Sequence, residues 1–217
     1  MMLLSGPERK PAAGGHAKKL VFFLHGLGAD GNDLIDLATN LAEVLPDTHF
    51  YSPNAPFSCD MAPFGYQWFS LQDRDESNMI AGIRHAAPIL NHYIDHLLAM
   101  HHLTDKDVAY VGFSQGTMMA LYVALRRPEA CAAILGFSGA LIAPALLANE
   151  LTCRPKVLLS HGDQDQVVPF AAMSSAARSL ESLHIDVTTY VAKGLGHGID
   201  QQGIKLGKNF LKNAFEA

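Results

Sequence analysis

The sequence predicts an α/β fold in which a mostly parallel sheet is covered by helices on both faces. Apolar runs of strand length recur along the chain, each followed by a stretch of helical periodicity, which is the pattern of successive βα units. The composition agrees: 49% of residues are hydrophobic and 17% charged, as a sheet buried on both faces requires, because its central strands are apolar throughout. No repeat or low-complexity linker interrupts the alternation. At 217 residues the chain exceeds the domain prior of about 150, yet α/β folds of this size form one well-covered core, so residues 1–217 are expected to make a single domain.

Taken in order, the run Lys18 to Gly26 reads as a buried strand, and Leu34, Leu37, Ala38, Leu41 and Leu45 mark the inward face of a helix stopped by Pro46. His49 to Ser52 is a short second strand. Residues 54–78 are irregular, with Pro and Gly scattered among Phe57, Phe64, Tyr66, Trp68 and Phe69; a loop this long is functional or disordered, and its aromatic load disfavours disorder. A long helix follows from about Ser77 to Met100, with Ile83, Leu90, Ile94 and Leu97 inward and a kink expected at Pro88. Val108 to Phe113 is a strand, and Gln115 to Arg127 a helix stopped by Pro128. Ala132 to Phe137, Lys156 to Ser160 and Val187 to Val191 supply further strands, with helices around Ala171 to Leu183 and Gln201 to Ala214 covering the sheet. That makes about six strands before any short one at the N-terminus.

Charge and cysteine usage exclude several function classes. A net charge of −5 leaves no basic stripe to neutralise a phosphate backbone, so nucleic acid is not an expected partner. Cys59, Cys131 and Cys153 are widely spaced, without a CxxC pair, and read as reduced, partly buried thiols. The start of the chain lacks a basic segment followed by a long apolar core, and no run of 18 apolar residues occurs anywhere. The expected location is the cytoplasm, with no integral membrane segment.

The strongest chemical signal is Gly112-Phe113-Ser114-Gln115-Gly116, a GxSxG between a strand and a helix. A nucleophilic serine must stand clear of the sheet on a tight turn, and side chains at Gly112 and Gly116 would collide with the neighbouring helix and strand. The same turn aims the Gln115 backbone N–H, at a helix N-terminus, toward a developing oxyanion. A near-match, Gly136-Phe137-Ser138-Gly139, has its glycine misplaced, and Ser138 reads as a turn residue at a strand end.

A serine hydroxyl needs a histidine to take its proton and a carboxylate to orient that histidine, in the chain order Ser, Asp or Glu, His. After the strand Lys156 to Ser160 comes His161-Gly162-Asp163-Gln164-Asp165, with two aspartates at the carboxyl end of a strand where ligands gather in open α/β sheets. Spacing alone leaves Asp163 and Asp165 both open. Of the later histidines, His184 lies in a linking stretch and reads as a surface residue. His197, in the glycine-rich loop Lys193 to Gly198, is the base by elimination and geometry. The second oxyanion donor is expected in His25-Gly26-Leu27-Gly28-Ala29-Asp30-Gly31, where the Leu27 amide can point at substrate. This loop is not GxGxxG, so a dinucleotide is not indicated. His92 and His96 are four apart on a predicted helix but lack HExxH and a third ligand, so a solvated face is expected there rather than zinc.

Together HGLGADGNDL, PNAPF, QWF, GFSQG, HGDQDQVVPF and GLGHG resemble the small carboxylesterase, lysophospholipase and acyl-protein thioesterase family of the α/β hydrolases, from about Leu20 to the last helix. The resemblance implies the α/β-hydrolase fold with little or no lid domain, Ser114 as nucleophile, Asp165 rather than Asp163 as the acid, and His197 as base. It also implies Leu27 and Gln115 as oxyanion donors. It further implies no cofactor and no metal, with short to medium acyl esters, and sometimes thioesters or lysophospholipids, as substrates, and leaves a homodimer open. Ser70 departs from it, since many relatives carry aspartate after the WF pair. QWF looks like the family's substrate loop, so Trp68 and Phe69 are expected to wall the acyl pocket; the alternative is that these rings pin the loop to the body of the domain. A peptidase would need an additional domain, dienelactone-type hydrolases use a cysteine where this elbow holds serine, and a binding protein on an inactive hydrolase scaffold would not need the intact triad.

Overall fold

The computed structural model describes residues 3–216. In chain order the strands are β1 (Glu8–Arg9), β2 (Lys19–Leu24), β3 (Thr48–Tyr51), β4 (Phe57–Ser58), β5 (Tyr66–Gln67), β6 (Val108–Phe113), β7 (Ala133–Phe137), β8 (Lys156–Gly162) and β9 (Val187–Ala192). The α-helices are α1 (Asn32–Ile35), α2 (Leu37–Ala42), α3 (Glu76–His101), α4 (Gln115–Ala124), α5 (Pro144–Glu150), α6 (Ala171–Ser182) and α7 (Gln201–Glu216). Seven strands form one sheet in the order β1-β3-β2-β6-β7-β8-β9. All its pairings are parallel except that of β1 with β3.

Side-chain alternation along β2 builds the two layers. Leu20, Phe22 and Leu24 join Leu90 of α3, Met119 of α4 and Leu180 of α6 on one face. Val21 and Phe23 join Leu34 of α1, Leu41 of α2 and Leu211 of α7 on the other. Because these five of the six β2 residues are wholly buried, truncating Phe22 or Phe23 to alanine would cost about 3–5 kcal/mol.

Several expected boundaries move for identifiable reasons. The first helical stretch is divided into α1 and α2 around Asp36, although its apolar positions Leu34, Ala38, Leu41 and Leu45 remain buried. α4 ends at Ala124 rather than Arg127. Thr152 reaches in there, its amide donating to the Leu125 carbonyl at 3.1 Å and its hydroxyl to the Arg127 carbonyl at 2.6 Å. Within residues 54–78, β4 and β5 form a two-stranded antiparallel pair. α5 was not anticipated: it is short, and its packing rests on the single buried Leu147.

The connection from β2 runs through α1 and α2 to β3 on one side, while β6 lies on the other. Such a reversal of strand order opens a crevice at the carboxyl ends. Leu24 is in register with Gly112, so the loop beginning at His25 lies beside the turn that carries Ser114.

Candidate active site

Ser114 joins β6 to α4 with φ 53° and ψ −117°. A non-glycine residue in this region costs on the order of 1–3 kcal/mol and persists only where its surroundings hold it. Here the Ser114 amide donates to the Phe137 carbonyl at 2.8 Å, and the Ser114 carbonyl accepts from the Thr117 amide at 3.0 Å. The two glycines of the motif are needed for close approach: a Cβ on Gly116 would strike the Leu24 carbonyl, and one on Gly112 would strike the Thr117 amide.

The two aspartates of the loop after β8 are differently placed. Asp165 is buried, and its Oδ2 accepts from His197 Nδ1–H at 2.7 Å. Its Oδ1 accepts from the amides of Val167 at 2.8 Å and Val168 at 3.0 Å. Burial works to raise its pKa, but the bonds from His197, Val168 and Val167 outweigh that and hold it below the usual carboxylate range. With Nδ1 donating, Nε2 of a neutral His197 is left as the proton acceptor. Asp163 instead takes the Gly194 amide at 2.7 Å and lies 3.2 Å from Lys193 Nζ, the two contacts that do most to lower its pKa. It ties down the start of the loop that carries His197.

His161 is the neighbour that sequence reasoning missed. It is 1% exposed, its Nε2 lies 3.2 Å from Asp165 Oδ2, and it donates to the Val168 carbonyl at 2.9 Å. Its signal was the i, i+4 spacing to Asp165 in HGDQD. Ser138 is a turn residue with φ 49°, and its hydroxyl donates to the Gly198 carbonyl at 3.1 Å, tying the His197 loop to the end of β7. His184 is exposed, and among the described residues no His, Cys, Asp and Glu cluster is arranged to hold a metal, the His92 and His96 pair included.

Ser114 and His197 open onto one cavity of about 380 Å³, which Gly26 and Leu27 also border. The Phe113 ring lies 4.9 Å from the His197 ring. The cavity wall is largely aliphatic and thioether: Met61, Leu71, Met79, Met118, Ile142 and Val168. The amides of Leu27, after β2, and of Gln115, first residue of α4, make no intramolecular hydrogen bond among the described residues.

Trp68 and Phe69 do not wall this cavity, contrary to the expectation for QWF. Trp68 is wholly buried and Phe69 is 2% exposed. A buried indole N–H needs an acceptor, and Trp68 Nε1 donates to the His25 carbonyl at 3.0 Å. The rings therefore face the body of the protein, while Met and aliphatic side chains line the pocket. Ser70, next in sequence, is exposed, and its hydroxyl accepts from the Gln72 amide at 3.3 Å.

A family model described as phospholipase/carboxylesterase matches residues 11–215. Esterase YpfH of Escherichia coli is 26% identical over 196 residues, which cover 90% of this chain and 83% of that protein. Acyl-protein thioesterase 1 of Schizosaccharomyces pombe is 32% identical over 171 residues, 74% of each chain. Among solved structures, that of esterase PE8 superposes with a TM-score of 0.94 at 43% identity, covering 98% of this chain and all of the other.

Proposed function

We propose that this chain, which belongs to the phospholipase/carboxylesterase family and has the α/β-hydrolase fold, hydrolyses short to medium acyl esters or thioesters through an acyl-enzyme on Ser114. The observation that carries this reading is one apolar cavity bordered by a strained serine and by a histidine whose Nδ1–H is held at 2.7 Å by a buried aspartate.

Ser114 Oγ attacks the acyl carbonyl carbon while its proton passes to His197 Nε2, and the carbonyl oxygen becomes an oxyanion facing the Leu27 and Gln115 amides. Asp165 stabilises the imidazolium without taking its proton. On collapse the imidazolium protonates the leaving alcohol or thiol, and the carbonyl re-forms as the acyl-enzyme. Water then repeats the sequence, giving its proton to His197 and releasing the acid. These steps use no cofactor. A water occupies about 30 Å³, so the cavity holds on the order of a dozen, which fits a short to medium acyl chain. The relatives named esterase and thioesterase support both leaving groups. Three free, buried cysteines fit a reducing compartment, and we place the protein in the cytoplasm.

Fluorophosphonate labelling read by intact mass and peptide mapping tests the assignment. A single adduct on Ser114, and a Ser114→Ala variant with turnover lowered by several orders of magnitude, are expected. A tenth of the wild-type rate in Ser114→Ala, or an adduct elsewhere, would overturn it.

A further inference from the structure

The two amides assigned to the oxyanion belong to elements far apart in sequence, the loop after β2 and the first turn of α4. One short segment grips both. On the Leu27 side, Trp68 Nε1 donates to the His25 carbonyl at 3.0 Å, and Tyr66 exchanges backbone bonds with Gly28 and Ala29 at 2.8 Å each, so the residues on either side of Leu27 are fastened. On the α4 side, the Gln115 carboxamide accepts from the Trp68 amide at 2.9 Å and donates to the Phe69 carbonyl at 2.7 Å. Gln115 is wholly buried, so water does not stand in for either bond. A carboxamide is suited to the place because it offers an acceptor and donors at one side-chain end without charge. The segment is itself held from behind: a Cβ on Gly82 of α3 would lie 2.7 Å from Phe69 Cβ, so helix and segment are in close contact. The His25 ring closes the network, accepting from the Ala55 amide at 2.9 Å and donating to the Gly26 carbonyl at 2.7 Å. Its burial keeps it below the ordinary histidine range, and so neutral.

We infer that residues 66–69 set the spacing of the two oxyanion donors, with the Trp68 indole N–H and the Gln115 side chain as positioning residues. The inference rests on the reading of Ser114, Leu27 and Gln115 proposed above. Oxyanion donors act at about 2.7–3.1 Å from the charge that develops, and a 1 Å misplacement costs roughly 10²-fold. Neither Trp68 nor Phe69 borders the cavity, so loosening the brace weakens transition-state binding and leaves ground-state binding alone.

The test uses Trp68→Phe, which removes only the indole N–H and some ring area, and Gln115→Met, which removes both carboxamide bonds. The expected result is a fall in kcat of about 10–100-fold with KM within twofold, and an equal loss of affinity for an alkyl boronic acid that forms the tetrahedral adduct. The double variant is expected to cost less than the product of the singles, since both cut one brace. Trp68 is the single tryptophan of the chain, so its indole N–H gives one NMR signal, expected to exchange slowly in wild type and to shift when the boronic acid binds. Unchanged kcat, a loss confined to KM, or a lowered thermal midpoint with the kcat of the folded fraction intact would overturn the inference. An indole signal unmoved by the boronic acid in wild type would overturn it even where a variant fails to fold. An active Ser114→Ala removes the reading beneath it; an inactive one beside fully active brace variants removes this inference alone.

Discussion

The loops after β8 and β9 and the segment 66–69 reach Ser114 from opposite sides of β6, and they are built on different physics. The first region is organised around an ionised group: Asp165 collects His197, two backbone amides and the edge of His161. The second uses neutral bonds between side chains and backbone, through Trp68, Gln115 and the His25 ring. Under the proposed mechanism the difference follows from what each must place. A base that becomes charged during the reaction needs a counter-charge beside it. Amides that only receive charge need fixed geometry in a dry setting. The polar region should therefore fail chemically with its fold intact, and the aromatic region mechanically.

The largest effect that would sharpen this contrast is Asp165→Asn, expected to lower kcat on the order of 10⁴-fold with a native circular dichroism spectrum, by analogy with triad aspartates in other folds. A loss under tenfold would break it. Next, Trp68→Ala is expected to destabilise by about 3–5 kcal/mol in urea unfolding, without changing the order of preference among p-nitrophenyl esters of graded length. A changed chain-length order would return Trp68 to the pocket wall.

The cavity wall separates from the brace within the same stretch of chain. If acyl carbons pack on it, each buried methylene adds about 0.8 kcal/mol, roughly fourfold in kcat/KM per carbon until the pocket is full. Met79→Ala should shift where that series levels off with little loss of stability, whereas an unchanged series would move the acyl site elsewhere. Acid adds a further discriminator. The Asp165 pKa lies below its unfolded value near 3.9. Its stabilisation is therefore present above about pH 3.9 and is lost as pH falls through the folded pKa. Thermal midpoints of wild type and Asp165→Asn should converge on acidification over that window; parallel curves would mean that Asp165 titrates normally. The smallest effect is expected of Asp163→Asn, a change in kcat within a few-fold, because the carboxamide oxygen can still accept from the Gly194 amide. A loss matching that of Asp165→Asn would undo the division of labour in the loop.

Much of this was legible in local pattern. Continuous apolar runs located the strands of the sheet, since a strand covered on both faces is apolar throughout, and period-3.6 hydrophobicity located the long helices, since it records one face that must be buried. GxSxG between strand and helix marked Ser114, because the steric demands of that turn are local to Gly112 and Gly116. Order along the chain left only His197 as a downstream histidine outside a linking stretch. Spacing left Asp163 and Asp165 both open, because they follow β8 in one loop; the resemblance of HGDQDQVVPF implied Asp165, and in the structure burial against His197 and His161 is what separates the two.

What the sequence by itself determined is therefore the architecture and the residues able to carry the chemistry, because apolar runs, helical periods and a strained turn are properties of neighbouring residues. The tertiary structure alone decided which side chains meet. α4 stops short of Arg127 where Thr152, distant in sequence, takes the carbonyls of Leu125 and Arg127. Trp68 points into the protein because its N–H finds the His25 carbonyl, and the cavity falls to methionines and leucines brought together from several elements. Burial of an aromatic ring, and the partner its polar atom requires, are set by chain segments that no local pattern encodes.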